Sequence, residues 1–204
     1  MKLEPYNCKD NPVIKTSLQG TNADLIAEVF KLYVPKGTVV ADVTYGRGVF
    51  WRNLVPEDYT CLFSDLQSGV DFRHLPYEDN SVDVLILDPP YMHSGQGVKD
   101  SINKCYLNAA VSHESVIRLY AAGILEASRV LKPQGLILTK IQDEIESGKQ
   151  RWSHIEVMEL LKIMGFMHLD LFVLMQNGTP TMRELYQKTA RKNHSYLIVS
   201  RFRR

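Results

Sequence analysis

Short runs of apolar residues recur along this chain, and segments with helical periodicity separate several of them. Apolar runs of this length suit strands that are buried on both faces, as in parallel sheets that are covered by helices. We therefore predict an α/β fold whose sheet carries helices on both faces. The predicted strands are residues 38–43, 60–65, 82–88, 135–141, 168–175 and 195–202.

Three segments have the periodicity of amphipathic helices. Thr21 or Asn22 can cap the first helix, and proline and glycine end it shortly after residue 33. The second helix is predicted over residues 112–131. Ser153 followed by Glu156 has the spacing of a capping box, which predicts that a third helix begins there.

Length and composition favour one folded domain. The chain has 204 residues, of which 45% are hydrophobic and 23% charged, as in ordinary globular proteins. We assign residues 1–20, which show little periodicity, to an N-terminal arm and residues 21–204 to a single domain. The sequence has neither a membrane-length apolar run nor the apolar core of a signal peptide, so we expect a cytoplasmic protein. The spacing of its Cys and His residues predicts no metal site.

A glycine-containing loop follows the first predicted strand in the segment ADVTYGRGVFW. Asp42 ends the strand, and Gly46 and Gly48 lie in the turn, where glycine lets the backbone approach a ligand closely. Tight turns also use glycine for packing alone, so both interpretations stay open. Trp51 occupies the position where a dinucleotide fingerprint needs a small residue, which argues against NAD and FAD.

A second acid, Asp65, comes at the end of the next predicted strand. A carboxylate at this position can accept hydrogen bonds from both hydroxyl groups of a ribose. The alternative is an acid that caps the following turn. Because the chain also lacks a phosphate-binding P-loop, the pattern favours a nucleoside cofactor without phosphates.

The run VDVLILDPPY (82–91) ends on an acid, two prolines and an aromatic ring. Together with DVTYGRG (42–48), Asp65, Asp71 and RKNHSYLIVSRF (191–202), it resembles the class I S-adenosylmethionine-dependent DNA methyltransferases of the DPPY family, which methylate adenine. The resemblance covers the chain from about residue 20 onwards.

This resemblance implies a doubly wound, mostly parallel, seven-stranded Rossmann-like methyltransferase sheet with an antiparallel strand at the carboxyl terminus. It also implies S-adenosylmethionine as the cofactor, S-adenosylhomocysteine as its product, and no metal. The implied catalytic residues are Asp88, Pro89, Pro90 and Tyr91, and the implied cofactor-binding residues are Asn22, Asp42, Thr44, Gly46, Gly48, Asp65, Asp71 and Phe72.

The chemistry of amino methylation explains the DPPY sequence. The lone pair of an amine on an aromatic base is delocalised into the ring, so the amine is a poor nucleophile. Asp88 and a carbonyl in the proline turn, which we assign to Pro89, can each accept a hydrogen bond from the amine and aim its lone pair at the methyl group. Tyr91 can stack on a base that has been flipped out of the duplex.

The resulting prediction is a DNA adenine-N6 methyltransferase, and three alternatives stay open. The first is an RNA methyltransferase that acts on an amine of guanine or adenine. The second is a non-catalytic nucleic-acid-binding subunit with a methyltransferase fold. The third is a cytosine-amino methyltransferase, although those enzymes usually carry SPPY.

The net charge is only +1, but basic residues outnumber acids after Pro180, which suits either contacts with DNA phosphates or a solvent-exposed terminal face. No separate target-recognition domain is expected, because the fold accounts for nearly all of residues 21–204. We therefore predict a short or relaxed target sequence. A homodimer, which would enlarge the recognition surface, stays open. The predicted nucleic-acid-binding residues are Arg183, Lys188, Arg191 and Lys192.

Overall fold

The strands of the sheet are mostly parallel and range in length from 3 residues to 11. The computed structural model describes residues 6–9, 11–91, 112–176, 189–190 and 192–204. The strands in these ranges are β1 (Ser17–Gln19), β2 (Val39–Asp42), β3 (Thr60–Phe63), β4 (Val82–Leu87), β5 (Leu131–Ile141), β6 (Glu144–Glu146), β7 (Lys149–Arg151), β8 (Phe166–Met175) and β9 (His194–Phe202).

Seven of these strands form one sheet in the order β1-β8-β9-β5-β4-β2-β3, and β6 and β7 form a separate hairpin. Only β9 runs against its neighbours, since it is antiparallel to both β5 and β8. The predicted seven-stranded α/β sheet with an antiparallel final strand is confirmed. The six parallel strands therefore end at one side of the sheet, which we call the carboxyl edge.

The seventh strand comes from the segment that we assigned to the N-terminal arm. Ser17–Gln19 pairs in parallel with residues 173–175 of β8. Two flanking hydrogen bonds extend this pairing, from the Val173 amide to the Thr16 carbonyl and from the Gly20 amide to the Met175 carbonyl. The arm thus pairs with the side of β8 that faces away from β9, and the chain leaves this pairing at the carboxyl edge.

Helices cover both faces of the sheet. They are α1 (Asn22–Tyr33), α2 (His113–Val130) and α3 (Ser153–Ile163). One core cluster holds residues of α1 together with Val84 and Ile86, and the other holds residues of α2 and α3 together with Leu85 and Leu87. Alternate residues of β4 therefore face opposite layers, as a strand requires. None of the helices in the described ranges is both long and apolar enough to span a bilayer.

The two predicted helix caps have different outcomes. Thr21 caps α1 in a capping box with Asp24, as the sequence predicts. The capping box at Ser153 is wrong, because Trp152 is the N-cap and the buried Ser153 hydroxyl has no partner in the described structure. Asp143 supplies the missing acceptor from outside the helix: its Oδ1 accepts the His154 amide at 3.2 Å. Glu156 instead contacts His113 Nε2 at 2.8 Å.

Candidate active site at the carboxyl edge

Two acids lie side by side where the central strands end. Asp42 is the last residue of β2 and pairs with Ile86 of β4, so Asp88 lies just beyond it on the neighbouring strand. The Asp88 amide donates a hydrogen bond of 2.8 Å to the Thr44 hydroxyl. Thr44 therefore joins the loop after β2 to the DPPY turn, and brings two of the predicted motifs into contact.

Asp42 is a buried acid that holds the loop together. Its side chain accepts hydrogen bonds from the indole Nε1 of Trp51 at 2.9 Å and from the Thr44 amide at 3.2 Å. The residue is only 2% exposed. Burial raises the pKa of Asp42 to about 7, partly offset by the Trp51 hydrogen bond. Trp51, which argued against a dinucleotide, thus has a structural role as the partner of this acid.

The two loop glycines are needed for different reasons. Both have a positive φ, 55° at Gly46 and 62° at Gly48. A β-carbon at Gly48 would lie 2.6 Å from the Tyr45 hydroxyl, and the Tyr45 ring is held by stacking on Phe63 at 4.4 Å. At Gly46 the nearest atom would be the Thr44 carbonyl oxygen at 3.8 Å. The packing interpretation therefore applies to Gly48, while the space beside Gly46 is open to a ligand.

Asp65 shows features of both of its predicted roles. Its Oδ1 accepts the Ser68 amide at 2.8 Å, which is the turn-capping role. Its Oδ2 accepts the Gly46 amide at 3.0 Å and so faces the glycine loop. The half-buried carboxylate lies beside the open face of Gly46, where each oxygen retains a further lone pair for a hydroxyl donor.

The next two predicted cofactor residues already have protein partners. The Arg73 guanidinium donates to the Asp71 carboxylate, with Nε 2.9 Å from both oxygens, and these hydrogen bonds lower the pKa of Asp71. The Phe72 ring is 5% exposed and belongs to the core, where it lies against Gly123 and Leu87. The Phe72 side chain thus packs the α2 layer, which leaves its backbone as the part that a ligand could contact.

Asn22 and Asp88 each carry a buried oxygen atom that lacks a partner among the described residues. Asn22 is the first residue of α1, which begins at the carboxyl edge directly after β1. Its Oδ1 and the Oδ1 of Asp88 are both buried without a hydrogen bond. A buried acceptor without a donor costs about 1–3 kcal/mol, so such atoms in a native fold require an explanation such as a ligand.

The DPPY turn is packed against the core. Pro89 is buried, and Tyr91 is partly buried against the α2 layer. Burial, followed by the charge of Asp88, raises the pKa of Tyr91, so the phenol stays neutral. Burial also raises the pKa of Asp88 itself, and the charge of Lys140 opposes that shift.

Lys140 is a residue of this site that the sequence analysis missed. It lies near the end of β5, is 1% exposed, and donates a hydrogen bond of 2.7 Å to the Ser195 hydroxyl. Its ammonium nitrogen lies 5.7 Å from the centre of the Tyr91 ring. The available signal was a lysine inside the apolar run GLILTKI, because a buried cation needs a nearby anion or acceptor.

The predicted nucleic-acid-binding residues are only partly visible. Arg183, Lys188 and Arg191 lie outside the described residues. Lys192 lies with its ammonium nitrogen 5.2 Å from the centre of the Trp152 ring, which is 51% exposed. This pair of a cation and an exposed indole stands near the carboxyl edge, since β9 begins there.

The residues at this edge fit S-adenosylmethionine. The Asn22 oxygen, which has no partner among the described residues, suits an N–H donor or positive charge, the Asp65 carboxylate suits ribose hydroxyl groups, and Gly46 leaves room for close approach. Within the described ranges, no group of three or more His, Cys, Asp or Glu residues is arranged to hold a metal ion.

Comparison with known proteins defines the fold. No protein-family description and no curated protein matches the chain. A protein from Bacillus halodurans C-125 assigned as a methyltransferase superposes with a TM-score of 0.57 at 14% identity, over 89% of this chain and 99% of that one. An S-adenosylmethionine-dependent methyltransferase from Methanosarcina mazei gives 0.52 at 14% identity, over 83% and 94%.

A protein from Thermus thermophilus named a DNA modification methylase is also similar, with a TM-score of 0.41 and 19% identity over 62% of this chain. The match covers 47% of that protein, so this chain spans about half its length. The architecture of this chain is thus the fold of S-adenosylmethionine-dependent methyltransferases. The finer assignment depends on the chemistry of the site.

Proposed function

We propose that this protein is an S-adenosylmethionine-dependent methyltransferase that methylates the exocyclic amine of adenine in DNA. One observation carries the proposal: Asp88 Oδ1 is a buried acceptor without a partner in the described structure, at the end of the central strand β4. An amine that donates to this atom would satisfy it. The two prolines that follow restrict the backbone, so the turn can present a carbonyl group in a fixed geometry.

The protein's part in the reaction is to hold the amine and remove its proton. Asp88 accepts one amine hydrogen and the carbonyl of Pro89 accepts the other, which favours a pyramidal nitrogen with a directed lone pair. Bound S-adenosylmethionine would supply the electrophilic methyl group and would leave as S-adenosylhomocysteine once the methyl–sulfur bond is replaced by a methyl–nitrogen bond. Because burial raises the pKa of Asp88, this carboxylate is a better proton acceptor than one at the surface.

DNA as the substrate is supported by Tyr91 and Lys192 at the carboxyl edge and by the other basic residues predicted from the sequence. A base must leave the duplex for its amine to reach Asp88, and stacking on an aromatic ring such as Tyr91 offsets part of that cost. Lys192 and the other predicted basic residues suit phosphate contacts, which orient a protein without reading sequence. The short or relaxed target predicted from the sequence is part of this proposal.

The direct test uses labelled S-adenosylmethionine with duplex DNA, single-stranded DNA and RNA, followed by identification of the modified nucleoside. We expect N6-methyladenine in DNA. Sequencing of modified bases in plasmid DNA should then show methylation at many sites that share at most a few base pairs. Methylation confined to one long motif would contradict the relaxed target, and product only in RNA would contradict the DNA substrate. Cofactor binding without turnover on any nucleic acid would indicate a non-catalytic subunit.

Replacement of Asp65 tests the cofactor side of the proposal. Asp65→Ala should weaken S-adenosylmethionine binding by roughly 1–3 kcal/mol, because hydrogen bonds to a charged group are lost. Isothermal titration calorimetry measures the affinity. Ser68→Ala is the matched control, since it perturbs the same turn but keeps the carboxylate. If both variants bind the cofactor like the wild type, Asp65 only caps the turn.

A further inference from the structure

Lys140 and Asp88 occupy equivalent positions on neighbouring parallel strands. The last residue pair between β4 and β5 is Leu87 with Thr139, so each of the two residues comes next on its strand. Ile86 and Leu138 belong to the α1-facing core cluster. Because strand side chains alternate, Lys140 projects on that same face, and Asp88, the first residue beyond β4, follows Leu87 at the same level, about 5 Å away at the backbone. Lys140 pairs with Leu197 of β9, and Ser195, two residues before Leu197, lies on the same face.

The two charged groups do not satisfy each other. An ammonium group has three hydrogen-bond donors, and Ser195 is the one acceptor for Lys140 in the part of the chain that the structure describes. Asp88 Oδ1 has no donor there. A buried cation with two spare donors thus stands beside a buried acceptor, with the Tyr91 ring 5.7 Å from the ammonium nitrogen. Groups held apart in this way suit a ligand that offers a donor and an acceptor next to each other.

We propose that Lys140 donates a hydrogen bond to the ring nitrogen beside the target amine, so that Asp88 and Lys140 together read one edge of the base. This inference rests on the proposed function. Adenine presents its amine next to the acceptor nitrogens N1 and N7, and thus offers the donor and acceptor that the two side chains require. Ser195 orients the ammonium group, and Lys140 is then a residue that determines specificity.

The experiment combines a protein change with a change in the substrate. Oligonucleotides carry adenine, 1-deazaadenine or 7-deazaadenine at one target position, and kcat/KM is measured for wild-type protein and Lys140→Met. We expect loss of the contacted nitrogen to lower kcat/KM of the wild type by roughly 10- to 100-fold, as for a hydrogen bond to a charged group. Lys140→Met should have a kcat/KM on adenine that is lower than that of the wild type by a similar factor. Replacing adenine with that analogue should lower the kcat/KM of this variant almost no further.

Removal of a ring nitrogen also alters the reactivity of the amine. The decisive quantity is therefore the coupling, which compares the loss of kcat/KM on the analogue in the wild type with the same loss in Lys140→Met. Ser195→Ala keeps the ammonium group but removes its acceptor, and should show intermediate coupling. Lys132→Met is the matched control at the other end of β5, where the lysine pairs with Asp83. This variant should show the same ratio of kcat/KM between adenine and each deaza analogue as the wild type.

The inference would be overturned if each of the two deaza analogues lowered kcat/KM by the same factor in the wild type and in Lys140→Met. So would a drop in S-adenosylmethionine affinity in Lys140→Met without coupling to the base, because Lys140 would then contact the cofactor. A wild type that methylates adenine but ignores both substitutions contradicts this inference alone. Absence of any adenine methylation contradicts the proposed function, and the inference with it.

Discussion

Asp88→Ala should lower methyl transfer by at least about 10³-fold while S-adenosylmethionine binding stays within about tenfold of the wild type. The carboxylate oxygen that would hold the amine has no partner in the described structure, so its contact is made only when the substrate is present. Its removal takes away an interaction that matters most in the transition state. Single-turnover assays with labelled cofactor measure the rate, and calorimetry measures the affinity.

The same substitution should leave the fold intact, which separates its effect from unfolding. Asp88 is a partly buried acid whose ionised form is disfavoured by desolvation and favoured by the charge of Lys140, so these opposing effects should keep the change in the free energy of unfolding within about 2 kcal/mol. Asp83→Ala is the control at the opposite end of β4, where the acid binds the Val39 amide and Lys132. It should destabilise the protein but keep turnover. Full activity in Asp88→Ala would refute the mechanism.

The strands and the two central acids could be predicted because their signals are local. An apolar run that ends on an acid gives both the strand and the position of its carboxyl end, as at Asp42 and Asp88. The edge strand Ser17–Gln19 gave no such signal, since three residues are too few to show periodicity. It is a strand because β8 offers an unpaired edge beside it.

Other features depended on partners that are distant in sequence. The start of α3 is capped by Asp143, which lies before the β6–β7 hairpin, so the local pattern at Ser153 and Glu156 was misleading. The position of Lys140 inside an apolar run indicates burial, but only the register with β4 shows that it lies beside Asp88. The sequence therefore predicted the acceptor of the candidate site but not the donor.

Asp42→Asn should change how the stability of the protein depends on pH. Burial raises the pKa of Asp42 to about 7 from its ordinary value of 3.8, so the folded state holds a proton that the unfolded state releases earlier. The wild type should thus lose stability as pH rises from about 4 to about 7, by up to about 4 kcal/mol for this one group. The amide cannot ionise, so the variant lacks this contribution. Urea unfolding at several pH values measures both proteins.

The quantity to compare is the slope with pH, because the amide also changes the hydrogen bonds to Trp51 and Thr44 by an amount that does not depend on pH. Relative to the wild type, Asp42→Asn should become steadily more stable as pH rises through this range. Asp24→Asn provides a control of opposite sign, because a hydrogen bond from Thr21 lowers the pKa of Asp24. That acid stabilises the fold at neutral pH, and its contribution disappears as pH falls. Parallel curves for wild type and Asp42→Asn would show that the two N–H donors keep Asp42 ionised despite its burial.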